Sequence, residues 1–116
     1  MTAAAPGDSR SGSLLLVEDD ESLRRIVARH LRSRGFPVEE AASAEEALRR
    51  IAAGLRPSLV LLDLNLPGET GWDFLRGSAL SSAGAPPVVI TSATTVSPKR
   101  LTEFHIAGYL PKPFPL

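Results

Sequence analysis

The sequence predicts an α/β domain: a five-stranded parallel sheet covered by helices on both faces. Three observations carry that expectation. Short, mainly apolar runs recur, among them "SLLLV" at 13–17, "SLVLLDL" at 58–64 and "PPVVITS" at 86–92. Their shortness and high apolarity suit strands buried on both faces. Stretches with helical periodicity separate them, so the order reads β-α-β-α-β-α-β-α-β. Such alternation argues for a parallel sheet with right-handed crossovers. A length of 116 residues fits one domain, and 43% apolar content is enough for a real core.

Each element has its own signal. Residues 1–12 read as a flexible N-terminal tail, and the domain proper spans 13–116. The first strand, 13–17, runs into acids. From Glu21 to Arg34, Leu23, Ile26, Val27 and Leu31 form the apolar stripe of a helix with arginines opposite. Gly35 stops that helix, and Pro37 lies just beyond. "PVEEAA" is a weak second strand. "SAEE" at 43–46 is a capping box that opens a helix through Leu48 and Ile51 to Gly54. The third strand, 58–64, is the clearest of all. "PGETG" at 67–71 is a turn, and a third helix runs from Trp72 to about Arg76. The fourth strand is 86–92. Ser97-Pro98 is an N-cap with proline in the first helical position, opening a short fourth helix to about Ala107. "GYLPKPF" at 108–114 is a fifth strand and a loop.

Composition excludes several classes of function. Thirteen basic and 13 acidic side chains give a net charge of +0, so nothing suggests a nucleic-acid footprint. There is no cysteine, which rules out disulfides and thiolate metal sites and is compatible with the cytoplasmic location expected here. No apolar run approaches the roughly 18 residues of a membrane span. The N-terminus has no hydrophobic core of a signal peptide.

The chemistry gathers at one edge of the predicted sheet. In open parallel sheets, ligands bind beyond the carboxyl ends of the strands, at the point where strand order switches. Glu18 and Asp19 stand at the end of the first strand, Asp63 at the end of the third. In the flavodoxin-like order 2-1-3-4-5 those strands are neighbours, about 4.8 Å apart. Three carboxylates that close repel one another, and a hard divalent cation such as Mg²⁺ relieves the repulsion. Ser92 ends the fourth strand and Lys112 follows the fifth. Acids, cation, hydroxyl and ammonium together suit a phosphoryl group. Asp20 reads as a helix cap rather than a metal ligand. Arg24 and Arg25 read as a solvated helix face, His30 and His105 as surface or helix-face residues, and Trp72 as packing on the third helix.

Four ordered motifs make the chain resemble the receiver domains of two-component response regulators: "LLLVEDDE", "LVLLDLNLPGETG", "PPVVITSA" and "GYLPKPF". The spacings agree: 63 − 19 = 44 residues from acid to acceptor and 92 − 63 = 29 to the hydroxyl. The resemblance implies that Asp63 accepts a phosphoryl group from the phosphohistidine of a histidine kinase or phosphotransfer protein. It implies Mg²⁺ held by Glu18 (through water), Asp19, Asp63 and the backbone carbonyl of Asn65. Ser92 would bind a phosphoryl oxygen, Tyr109 would turn inward as the aromatic switch, and Lys112 would pair with the phosphate, its bond to Pro113 being cis. The domain would regulate rather than turn over a substrate, reporting to an output domain or effector protein.

Two departures from the family pattern stand out. Only 112 − 92 = 20 residues separate Ser92 from Lys112, about two fewer than usual, which puts the coupling of Tyr109 to Ser92 in question. The chain also ends at Leu116, where the family's fifth helix begins. The expectation is that the natural protein continues, or that a dimer or partner covers the face of strands 4 and 5. The competing reading is a phosphorylation-independent interaction module on the same fold. A phosphohydrolase with an aspartyl nucleophile ranks last. Related enzymes carry that nucleophile on the first strand with a second acid two residues on, whereas "DLN" has none.

Overall fold

A computed structural model describes residues 12–66, 75, 85–93, 96–99 and 106–112. The elements are β1 (Leu14–Val17), α1 (Glu21–Ser33), β2 (Val38–Ala41), α2 (Ala44–Ala52), β3 (Leu59–Asp63), β4 (Val88–Ser92) and β5 (Gly108–Pro111). The strands form one parallel sheet in the order β2-β1-β3-β4-β5, as expected. The expected turn at 67–71, Trp72, most of the expected third and fourth helices, His105 and Pro113 lie outside the described residues. Leu75 is helical and buried, and Pro98 and Lys99 are helical just after Ser97.

Strand alternation divides the core into two layers. Leu14, Leu16 and Leu61 pack with Val38 against Leu23, Val27, Ala28 and Leu31 of α1. Leu15, Val17, Val60, Leu62, Val88 and Ile90 face the other way, onto Ala44 and Ala47 of α2 and onto Leu75. The sheet is therefore apolar on both sides, which is why its strands read as unbroken apolar runs. Leu62 is fully buried one residue before Asp63. Leu62→Ala should cost about 3 kcal/mol, read as a fall in the urea midpoint, because the packed layer can close only part of the cavity.

The α1 stripe differs from the sequence expectation at one position. Ile26 is 55% exposed. At about 100° per residue, Leu23, Val27 and Leu31 define a stripe that extends toward Ala28, away from Ile26. Both helices end alike. Gly35, at φ 94°, and Gly54, at φ 113°, adopt the left-handed conformation that favours glycine. Phe36 N–H donates to the Leu31 carbonyl and Gly35 N–H to that of Arg32; Leu55 to Arg50 and Gly54 to Ile51 repeat the pattern. These paired bonds satisfy the last carbonyls of each helix.

The capping box at α2 forms with a shift. Ser43 Oγ accepts from Glu46 N–H at 3.1 Å. Glu46 Oε1 reaches past the cap to accept from Ala42 N–H at 2.8 Å, and that bond holds its carboxyl below the usual glutamate range. On the edge strand β2, alternation sends Glu39 to Arg50 of α2 at 3.0 Å and Glu40 to Arg24 and Arg32 of α1 at 3.2 and 3.1 Å. The strand looked weak in sequence because two of its four residues are acids that pin the flanking helices.

Candidate metal and phosphoryl-acceptor site

Backbone hydrogen bonding at the carboxyl edge of the sheet sets the site. β1 ends at Val17, and Glu18 N–H continues the ladder to the Ala41 carbonyl at 3.0 Å. The chain then turns, and Asp20 caps α1 by accepting from Leu23 N–H at 3.1 Å. Asp20 thus takes the capping role expected of it. Asp63 closes β3, and its Oδ1 accepts from Asn65 N–H at 3.0 Å. Lys112 follows β5; its backbone N–H donates to the Ser92 carbonyl at 2.7 Å, which brings its side chain over the edge.

Three of the expected site residues converge as a cluster. Glu18, Asp19 and Asp63 each offer a carboxylate oxygen, all within 4.8 Å of one another. Glu18 and Asp63 are buried and Asp19 is exposed, so the cluster opens to solvent on one side. Lys112 Nζ sits 2.8 Å from Glu18 Oε1 and 3.4 Å from Asp63 Oδ2. The second Glu18 oxygen accepts from Asp20 N–H at 3.1 Å. Asn65 is exposed beside this cluster. Ser92 is fully buried at the end of β4, and the register sets Thr91, one residue earlier, level with Asp63. Tyr109 is half-buried, paired in register with Ile90 and packed against the α2-side core.

Among the described residues the charges do not balance: two buried carboxylates share one ammonium. Burial pushes the Glu18 carboxyl up; its bonds from Lys112 and Asp20 N–H pull the other way, and the Asp63 charge adds to the rise. Burial alone would lower Lys112, but the Glu18 hydrogen bond and the charges of Glu18 and Asp63 outweigh it and hold the ammonium protonated. A hard divalent cation beside these oxygens supplies the missing positive charge, and an all-oxygen donor set is what Mg²⁺ takes. The residues present fit the ion.

A pH dependence follows. Glu18 has a folded-state pKa above its ordinary value of 4.5, so the folded chain binds more protons than the unfolded one between those two values. Metal-free stability from this group therefore falls as pH rises through that window. Glu18→Gln removes the ionisation. The variant should gain on the parent protein in urea midpoint as pH rises from 4.5 to neutrality. The gain should vanish below 4.5.

One contributor escaped the sequence reading. Arg24, expected on a solvated face, has a side chain only 15% exposed, against 73% for Arg25. Its Nη1 donates to the Glu18 carbonyl at 2.9 Å. The signal was in the spacing: Arg24, Ala28 and Leu31 fall at i, i+4 and i+7, on the buried side of α1.

Comparisons with known proteins show the family and the fold. Residues 14–116 match the family model described as the response regulator receiver domain. The transcriptional activator protein PfeR of Pseudomonas aeruginosa is 41% identical over 109 residues, covering 91% of this chain and 34% of PfeR. The chain spans less than half the length of the curated relatives it matches. Among solved structures, chemotaxis protein CheY4 of Vibrio cholerae superposes with a TM-score of 0.78 at 29% identity, over 90% of this chain and 89% of CheY4. Response regulator TrrA of Thermotoga maritima, crystallised in complex with Mg²⁺-BeF, shares the fold with a TM-score of 0.75 at 24% identity, over 89% of this chain and 88% of TrrA.

Proposed function

The chain belongs to the response regulator receiver domain family, and from that premise we propose that it is a Mg²⁺-dependent switch loaded with a phosphoryl group on Asp63. The observation that carries this reading is the acidic trio with Lys112 laid across its two buried members.

In the loading step, a carboxylate oxygen of Asp63 attacks phosphorus in line with the phosphorus–nitrogen bond of a phosphohistidine on a histidine kinase or phosphotransfer protein. A phosphorus–oxygen bond forms, the phosphorus–nitrogen bond breaks, and the ring nitrogen leaves with the electron pair. Mg²⁺, when bound, neutralises charge on the phosphoryl oxygens; Glu18, Asp19, Asp63 and the Asn65 carbonyl are the groups that would hold it. The Asn65 amide fixes the acceptor by its Oδ1. Lys112 stands where the phosphate charge develops and exchanges its carboxylate partners for phosphoryl oxygens. Ser92 donates a hydrogen bond to one of these oxygens, and Tyr109, packed beside β4, follows it inward. That movement changes the surface presented to an output domain or effector. Hydrolysis of the acyl phosphate resets the switch.

Among the described residues, no helix is long and apolar enough to cross a membrane. We place the domain in the cytoplasm, where such kinases deliver phosphoryl groups.

Intact mass after incubation with acetyl phosphate tests the proposal. One added phosphoryl group that requires Mg²⁺ is the expected result. An unchanged mass despite normal Mg²⁺ binding, with kinase donors failing too, would replace the switch by a phosphorylation-independent docking module.

A further inference from the structure

We propose that Arg24 is a positioning residue for the cation site, holding the Glu18–Asp19 peptide in the orientation that aims both carboxylates at the metal. The inference rests on the Mg²⁺ reading above and adds a residue to it.

The argument starts from the peptide plane. The Glu18 carbonyl and the Asp19 N–H belong to one rigid unit, so fixing that carbonyl fixes where both side chains begin. Glu18 lies one residue past β1, and on its amino side the bond from Glu18 N–H to the Ala41 carbonyl at 3.0 Å ties it to the sheet through the preceding peptide. Arg24 supplies the other side, donating Nη1 to the Glu18 carbonyl at 2.9 Å.

Arg24 is itself anchored. Its Nε donates to Glu40 Oε1 at 3.2 Å. Glu40 Oε2 accepts from Arg32 Nη1 at 3.1 Å, and Arg32 Nη2 donates to the Val38 carbonyl at 2.7 Å. The edge strand β2 therefore grips the arginine, and the arginine grips the loop. Arg24 serves Glu40 and the Glu18 carbonyl through two separate nitrogens of its planar fork, whereas a lysine must share a single nitrogen between them.

Two physical accounts predict opposite signs. If Arg24 acted only through its charge, removing it would tighten Mg²⁺ binding, since a cation near the site repels another. If it positions the ligands, removal weakens binding despite that electrostatic gain. Isothermal titration with Mg²⁺ decides, using the parent protein, Arg24→Met, Arg24→Lys, Glu40→Gln and Arg32→Met.

The expected result is about tenfold weaker binding for Arg24→Met, the size typical when a group supporting a metal ligand is lost. Arg24→Lys recovers only part of it. Glu40→Gln, which leaves Arg24 in place but loosens its anchor, weakens binding about two- to threefold on the same principle. It also keeps the test open should Arg24→Met fold poorly. Arg32→Met stays within about twofold of the parent. At saturating Mg²⁺, loading of Arg24→Met from acetyl phosphate returns to within about twofold of the parent, because the acceptor is untouched. In the metal-free protein, Arg24→Met exchanges the Asp19 and Asp20 amides faster while the interior of α1 exchanges as before. Equal or tighter Mg²⁺ binding by Arg24→Met overturns the positioning role and leaves the cation site standing. No Mg²⁺ binding by the parent protein overturns the cation site, and this role with it.

Discussion

Asp63→Asn is expected to take up no phosphoryl group from acetyl phosphate or from a kinase, while the protein stays folded. The amide matches the carboxylate in shape, and its oxygen can still accept from Asn65 N–H, the bond that orients Asp63 Oδ1 at 3.0 Å. What it loses is nucleophilicity. An ionised carboxylate carries the electron pair that forms the mixed anhydride, and a neutral amide does not. The substitution also takes one of three carboxylates from the cluster, so Mg²⁺ affinity should fall by at least tenfold. Intact mass reads the first effect and calorimetric titration the second. Normal loading of the variant would mean that a different side chain is the acceptor.

The second large effect is expected at Lys112. Its ammonium lies between Glu18 and Asp63, and its side chain is only 19% exposed. Lys112→Met keeps the apolar stem and removes the charge, which leaves two buried carboxylates facing each other. Breaking a buried pair in this way costs several kcal/mol; with Lys112 reaching solvent on one side, about 2 kcal/mol of metal-free stability is expected. The cost should shrink in acid, where Glu18, already pushed up by burial, takes a proton more readily. Saturating Mg²⁺ should restore much of the loss, because it binds only the folded form. Loading should slow about 100-fold, the effect of removing one preorganised charge from a developing anion. Urea unfolding with and without Mg²⁺, and the time course of mass gain, measure these effects.

Much of this architecture was legible in the sequence, and the reasons are local. Leu15, Val17, Val60, Leu62 and Ile90 lie in strands buried on both faces, so they declared themselves as apolar runs. Gly35 and Gly54 sit where only a left-handed backbone ends the helix, so they marked its ends. The acids at the mouths of the first and third strands became a site once the strand order made those strands neighbours. The contacts that resisted prediction depend on which way a side chain turns. Arg24 and Arg25 are adjacent and chemically identical, yet one lies beneath the loop and the other in solvent. Glu46 was expected to close the cap on Ser43 and instead bonds Ala42. The weak second strand hid Glu40, whose two arginine partners come from α1, 16 and 8 residues earlier.

Ser92 and Thr91 show where local pattern and register give different emphasis. Motif spacing selects Ser92, while the ladder sets Thr91 level with Asp63, and both are buried. The proposed role of Ser92 is separable by substitution. Ser92→Ala should slow the release of the acyl phosphate or its coupling to Tyr109, whereas Thr91→Val should leave both near the parent values.

The most direct measurement is to locate the modification itself. After loading with acetyl phosphate and Mg²⁺, borohydride reduces an aspartyl phosphate to homoserine, and peptide mass spectrometry reads the position. The account predicts conversion at Asp63, dependent on Mg²⁺, and at no other acid. Conversion at Asp19 or Asp20, or a phosphoryl group that resists borohydride, would contradict it.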